Sequence, residues 1–225
     1  MTDQKTGIVV FDIDGTLTDS IPQHQFAFEN ALRSFNFPAL RTDWVNYLHH
    51  TDSAIFVQAW AEAKFTSLSD LAELETRYIR ELDQQLAKKP FAEIAGAASF
   101  IHWLNEQGWK VVYATGSLRY GAEKKLAALD IDLRDAILVT ASEYLTREDL
   151  LINAIKQATE KYSLAAGQKI ISIGDGVWDL KTAENLDVAF IGIGVGAKAK
   201  LLTDLGATVF ADFNELRKQG EHLIH

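Results

Sequence analysis

Two periodicities divide this chain. A short unbroken apolar run, Ile8, Val9, Val10 and Phe11, stops at two aspartates, Asp12 and Asp14, which predicts an inner strand over 7–12. From there to about residue 90 the apolar spacing is that of helices. Phe28, Ala31, Leu32 and Phe35 share one face. Ile55, Phe56, Ala59, Trp60 and Ala63 share another, after a stretch suited to helix initiation, Thr51-Asp52-Ser53, and Leu71, Leu74, Tyr78 and Leu82 make a third. No convincing strand interrupts this part, so residues 19–90 read as an all-helical insertion between 1–18 and 91–225.

Beyond residue 90 strands and helices alternate. The pattern predicts helices over 97–107, 120–129, 148–161, 180–186 and 198–205, and strands over 110–114, 136–139, 169–173 and 188–193. An edge strand over 208–210 and a short, frayed helix from Asn214 complete the chain. Strands that are continuous apolar runs, each followed by a helix, imply a parallel sheet covered on both faces, a three-layer α/β architecture. Gly192, Gly194 and Gly196 lie at and beyond the end of the last long strand, but their spacing does not match a dinucleotide loop and reads as a strand-to-loop turn.

Composition narrows the functional classes. With 225 residues, 48% of them hydrophobic and 24% charged, the chain is an ordinary globular one. Its net charge of -9 disfavours a nucleic-acid backbone as partner. The absence of cysteine removes thiolate chemistry and cysteine-held metals and is compatible with a reducing compartment. Neither a signal peptide in residues 1–10 nor a membrane-spanning apolar run is evident, so a cytoplasmic location and no membrane partner are expected. Oligomeric state is not legible.

In an open parallel sheet, ligands gather at the carboxyl ends of the strands. Here those ends carry Asp12 and Asp14, then Thr115, Gly116 and Ser117, then Gly174, Asp175 and Gly176 with Asp179 just beyond. Carboxylates brought together raise one another's pKa unless a cation lies between them. A set of hard oxygen ligands of this kind suits Mg²⁺ shared with an anionic substrate.

The segment Phe11-Asp12-Ile13-Asp14-Gly15-Thr16-Leu17 resembles the first motif of the haloacid dehalogenase superfamily. Ala114-Thr115-Gly116-Ser117 resembles its second and Gly174-Asp175-Gly176-Val177-Trp178-Asp179 its fourth, in the same order. The helical insertion falls where the C1-type cap of that superfamily falls, and the resemblance, phosphoglycolate phosphatase-like, covers nearly the whole chain. It implies a Rossmann-like core and a Mg²⁺-dependent phosphatase acting on a small phosphorylated metabolite through an aspartyl phosphate. By that likeness Asp12 is the nucleophile and Asp14 the general acid and base. Asp12, Asp175 and the backbone carbonyl of Asp14 hold the metal, Thr115, Gly116 and Ser117 bind the phosphoryl group, and Asp179 supports the site. The superfamily's third motif carries a lysine; this chain has Thr146-Arg147-Glu148-Asp149 instead, and the role falls to Arg147, with Lys156 the weaker substitute.

Retention of Asp14 favours phosphoryl transfer over dehalogenation, because an alkoxide needs a proton and a halide does not. In the insertion, His50, Thr51 and Asp52 are candidates for contacting the leaving group, with helix capping the equal alternative for the last two. His24, at a place where phosphatases and sugar-phosphate mutases of the superfamily both carry a histidine, does not discriminate between them and is equally read as a hinge-side packing residue. The aromatic residues Trp44, Tyr47, Phe56 and Trp60 are read as core. A sugar-phosphate mutase using the same residues, and a catalytically silent phosphoryl-binding module, remain open.

Overall fold

The computed structural model describes residues 7–224, leaving residues 1–6, part of the stretch read for a signal peptide, and His225 outside the described chain. In chain order the elements are β1 (Ile8–Phe11), β2 (Thr18–Asp19), α1 (Ile21–Arg33), a 3-10 turn (Trp44–Asn46), α2 (Asp52–Glu62), α3 (Leu71–Leu86), β3 (Ala92–Glu93), α4 (Ala97–Glu106), β4 (Lys110–Thr115) and α5 (Arg119–Ala127). They continue with β5 (Leu138–Thr140), α6 (Arg147–Tyr162), β6 (Ile170–Gly174), α7 (Val177–Asn185), β7 (Ala189–Ile193), α8 (Gly196–Asp204), β8 (Thr208–Phe210), α9 (Phe213–Gln219) and α10 (Glu221–Ile224).

Six strands form one parallel sheet in the order β5-β4-β1-β6-β7-β8. The chain builds outward from β1 to β4 and β5, then returns to β6 on the other side of β1. The strand order therefore reverses beside β1, the place where open sheets bind ligands. Side chains alternate across the sheet with period two. Val9 and Phe11 join Phe100, Trp103, Leu126 and Phe213 on one face. Ile8 and Val10 join Leu150, Leu151, Ala154 and Ala158 of α6 on the other. This two-sided burial explains why β1 is an unbroken apolar run.

The helices between β2 and β3 enclose a third apolar cluster of their own, centred on Leu32, Phe56, Leu74, Tyr78 and Leu82. Where the chain enters and leaves this helical part, β2 and β3 pair antiparallel, Thr18 opposite Glu93 and Asp19 opposite Ala92, a short link that the alternation of apolar positions did not reveal. Two further expectations are corrected. The C-terminal tail is not frayed: Phe213, Leu216 and Ile224 are buried in the sheet's core, so α9 and α10 are anchored by apolar burial. Helix α7 begins at Val177, three residues before the predicted 180, because Gly176 serves as its N-cap and Asp179 in the first turn accepts from the Gly176 amide at 3.0 Å. Among the described residues no helix is long and apolar enough to cross a membrane.

Candidate active site

The carboxyl ends of β1, β4 and β6 bring Asp12, Thr115 and Asp175 to one edge. The turn after β1 passes so close to β6 that a Cβ on Gly15 would lie 2.3 Å from Asp175 Oδ2, and Gly15 also has φ +75°, so glycine is required there twice over. Arg147 is the first residue of α6, whose N-cap Thr146 accepts a hydrogen bond from the Asp149 amide at 3.1 Å. That start, one residue earlier than predicted, aims the guanidinium back over the strand ends. Its Nη1 donates to Asp12 Oδ1 at 3.1 Å and to Asp179 Oδ1 at 2.9 Å, and its Nε donates to the backbone carbonyl of His50 at 2.8 Å. Arg147 thus takes the place expected of it beside Asp12. Lys156 lies instead along a cavity lined by Ile152 and Leu186 that contains none of the site's carboxylates.

Asp12, Asp175 and Asp179 each offer a carboxylate oxygen within 4.8 Å of the others, and all three are buried. Asp179 has a further partner besides Arg147: its Oδ2 accepts from the Gly176 amide at 3.0 Å, so it also caps α7. Lys198 of α8 reaches Asp175 Oδ2 at 2.6 Å. The cations do not balance the acids. Burial, then the charge of Asp179, push Asp12 well above the ordinary carboxylate range against the pull of Arg147. Burial raises Asp175 against Lys198, and burial raises Asp179 to about 6 despite Arg147. A cluster of hard oxygen donors that the surrounding protein leaves short of positive charge fits a divalent cation such as Mg²⁺.

Asp14 sits in a different environment, two residues along and turned away from Asp12. Its carboxylate accepts from Ser20 Oγ at 2.6 Å, from Ser117 Oγ, and from Lys125 Nζ at 2.7 Å. Burial alone would raise its pKa; the Lys125 charge, then His24, outweigh that and hold the carboxyl well below its usual range. Lys125 itself is fully buried, 0% exposed, and also donates to Ser117 Oγ at 2.9 Å. This residue escaped the reading of the sequence. Its spacing carried the signal: Ala122, Lys125, Leu126 and Leu129 are all buried, so a lysine stands on the apolar face of α5.

The other predicted residues divide. Gly116 and Ser117 line the cavity above Asp12, and a Cβ at Gly116 would meet the His50 carbonyl at 2.5 Å and Arg147 Nη2 at 2.7 Å. Thr115 is buried, its Oγ1 accepting from the Ser117 amide at 3.2 Å, and it is not among the cavity-lining residues. Thr51 and Asp52 join the helical segment to the sheet. Thr51 Oγ1 donates to the Leu145 carbonyl at 2.6 Å and caps α2. The Asp52 carboxylate accepts from the Leu118 amide at 2.9 Å and meets His24 Nε2 at 3.2 Å, while its own amide donates to the Gly116 carbonyl at 2.8 Å. Both Asp52 oxygens therefore have partners within the protein, and Thr51 and Asp52 also line the cavity. His50 lines the cavity and stacks on Trp178 with ring centroids 5.0 Å apart. His24 hydrogen-bonds Tyr78 at 2.8 Å and stands 3.4 Å from Lys125, joining α1, α3 and α5. Tyr47 and Phe56 are core, but Trp44 lines the cavity.

The cavity that receives Asp12, Asp14, Arg147 and Asp175 has a volume of about 500 Å³ and is closed on its far side by α1, the 3-10 turn and the start of α2. A carboxylate with a guanidinium beside it, and a second carboxylate in a separate environment, are groups suited to displacement at phosphorus.

Comparison with known proteins identifies the family. The family model of the haloacid dehalogenase-like hydrolases matches residues 6–187. A phosphoglycolate phosphatase of Vibrio parahaemolyticus is 30% identical over 73 residues, a match spanning 32% of this chain and 32% of that protein. Among solved structures, a hydrolase from Pseudomonas syringae superposes with a TM-score of 0.74 at 22% identity, over 96% of this chain and 99% of the other. The protein CbbY from Rhodobacter sphaeroides, solved in complex with phosphate, superposes with a TM-score of 0.71 at 16% identity, over 94% and 96%. At these identities the solved structures establish the fold.

Proposed function

This chain belongs to the haloacid dehalogenase-like hydrolases, and we propose that within that family it is a Mg²⁺-dependent phosphomonoesterase working through a phosphorylated Asp12. The observation that carries the reading is the pairing at the end of β1. Asp12 is met by Arg147 at 3.1 Å, with Asp175 and Asp179 within 4.8 Å, while Asp14 is held apart in its own set of donors. Residues 19–90 are assigned as the cap and the remainder as the core, a division supported by the β2–β3 pair at the crossing and by the separate apolar cluster of the helices.

In the first step an oxygen of Asp12 attacks phosphorus as the ester P–O bond breaks, and the leaving oxygen takes a proton from Asp14, which its donors hold as the carboxylate in the free protein and which therefore first takes that proton from solvent. In the second step Asp14, now the carboxylate that Lys125 and the two serines favour, takes a proton from water as that water attacks the phosphorus of phospho-Asp12. Arg147 draws a phosphoryl oxygen towards Asp12 and offsets its charge. The backbone at Gly116, which lines the cavity, is assigned to the phosphoryl group, while Thr115, buried beneath it, accepts from the Ser117 amide. Asp12 and Asp175, joined by Asp179 or by the Asp14 carbonyl, would hold Mg²⁺, which when bound neutralises charge shared between the carboxylates and the phosphoryl oxygens.

Asp12→Asn is expected to abolish Mg²⁺-dependent hydrolysis of p-nitrophenyl phosphate while leaving the circular dichroism spectrum unchanged; retained turnover would remove Asp12 from the role. Offering water and a sugar phosphate as competing acceptors separates a hydrolase from a mutase. No turnover across a broad panel of phosphate esters would point instead to a silent phosphoryl-binding module.

A further inference from the structure

We propose that the leaving group this protein accepts is uncharged with an apolar body, and that esters whose leaving group bears a carboxylate or a second phosphate are rejected. The inference rests on the phosphomonoesterase reading above. Its ground is the charge and shape of the cavity wall opposite Asp12 and Asp14. That wall presents Ile21, Phe28, Trp44, Val45 and Ile55. The indole of Trp44 lies 5.7 Å from the Phe28 ring, and Val45 is 69% exposed at the edge. The polar groups among them are Gln25, Thr42 and the carboxylate of Asp43, together with Thr51, Asp52 and two histidines: His24 is bonded through both ring nitrogens to Tyr78 and Asp52, and burial, then Arg147, push His50 towards its neutral form.

No lysine or arginine of residues 19–90 lines this cavity. The arginines of that segment are engaged elsewhere: Arg33 with Glu29, Arg41 with Glu62, Arg77 with Glu73 and Arg80 with Glu81. The two cations that do line the cavity come from the sheet side, and both are bound to the site's carboxylates, Arg147 to Asp12 and Asp179, Lys198 to Asp175. They serve the phosphoryl end. An anionic leaving group would leave water to face apolar side chains and Asp43 without a counter-charge, which is unfavourable on both desolvation and like-charge grounds. Lys181 belongs to a neighbouring cavity, which shares the stacked His50 and Trp178 with this one.

Volume argues the same way. A cavity of about 500 Å³ lies in the range that encloses ligands well beyond two carbons in size. A two-carbon leaving group would leave most of it to solvent, whereas a ring-bearing alcohol would cover the Trp44 and Val45 surfaces.

The test is a matched pair of esters, benzyl phosphate and 4-carboxybenzyl phosphate, which differ by one distal carboxylate. With Mg²⁺ and the full chain, kcat/KM is expected to favour benzyl phosphate by about 100-fold or more, the penalty of one uncompensated anion. Val45→Lys, or Asp43→Asn should the lysine disturb folding, is expected to narrow that ratio by at least about tenfold through faster turnover of the carboxylated ester. Equal or preferred turnover of the carboxylated ester, through Lys181 or otherwise, overturns the inference and leaves the phosphatase reading standing. Should neither ester nor p-nitrophenyl phosphate turn over, the phosphatase reading falls. The affinities of the two esters for Asp12→Asn, measured by calorimetry, then decide the inference: tighter benzyl phosphate supports it, and equal or tighter carboxylated ester overturns it.

Discussion

Replacing Lys125 by methionine is predicted to destabilise the fold by about 3 kcal/mol, the lower end of the range for breaking one side of a buried ion pair. The lysine side chain is 0% exposed and the Asp14 side chain 16% exposed, so the stranded carboxylate would retain some access to water, which places the cost at that lower end. Methionine fills nearly the same volume, so little of the loss comes from packing. The penalty is electrostatic, and removing the charge on the other side should relieve it: Lys125→Met with Asp14→Asn should be more stable than Lys125→Met alone, with a coupling of at least about 2 kcal/mol in a double-mutant cycle. Urea unfolding followed by circular dichroism resolves such differences against a total stability of about 5–15 kcal/mol.

The same pair predicts a pH window. Asp14 is held below its unfolded pKa, so its contribution to stability is present above about pH 4, where the unfolded chain is ionised, and fades as pH falls further. The gap between wild type and Lys125→Met should therefore be full at neutral pH and narrow below about pH 4. A single-variant cost under about 1 kcal/mol, or additive effects in the cycle, would refute the view that Lys125 balances Asp14.

Arg147→Met should lower kcat/KM on a phosphomonoester by about 100-fold or more, since it removes a charge-assisted donor at Asp12, and Arg147→Lys should recover only part because an ammonium cannot reproduce the planar fork that bonds His50, Asp12 and Asp179 together; steady-state kinetics checks both. Gly116→Ala should impair activity more than folding, as its Cβ would enter the space of the His50 carbonyl and the Arg147 guanidinium, and kinetics beside a thermal melt separates the two. Stabilisation by Mg²⁺ should grow as pH rises from about 4 to 7. Asp12, Asp175 and Asp179 have folded pKa values raised above their unfolded ones, so the metal-free protein loses stability as they ionise over that interval, and a dication relieves the loss. A Mg²⁺-dependent shift in melting temperature that is flat or falls across this range would contradict the assignment.

How legible the site was depended on whether its parts are local in the chain. Asp12, Asp14 and Asp175 were visible because each follows a buried strand directly, and a carboxylate at such a place is rarely a packing choice. Arg147 was reached only through the resemblance, as the residue standing where the superfamily's third motif carries a lysine; periodicity alone began the helix one residue later. Trp178 and Asp179 fell in a turn by periodicity, since Gly176 hides the true start of α7. The anchored tail was misread because its polar residues outnumber Phe213, Leu216 and Ile224, and only the sheet's face shows that these three are enough to bury it.

The sequence by itself determined the alternation of strands and helices, the helical insertion, and the carboxylates at the strand ends, because these depend on spacings within single elements. Tertiary structure alone decided which polar groups serve each other. Lys124 and Lys125 are adjacent and chemically identical, yet one is exposed and the other is buried against Asp14, because a helix turns about 100° per residue and only its docked phase selects the one that faces inward. Thr51 and Asp52 likewise became links between helical segment and sheet when the backbone of Gly116 and Leu118 came within hydrogen-bonding reach. The charge of the cavity wall has the same origin: arginines are present in that segment, and only packing directs them away from it.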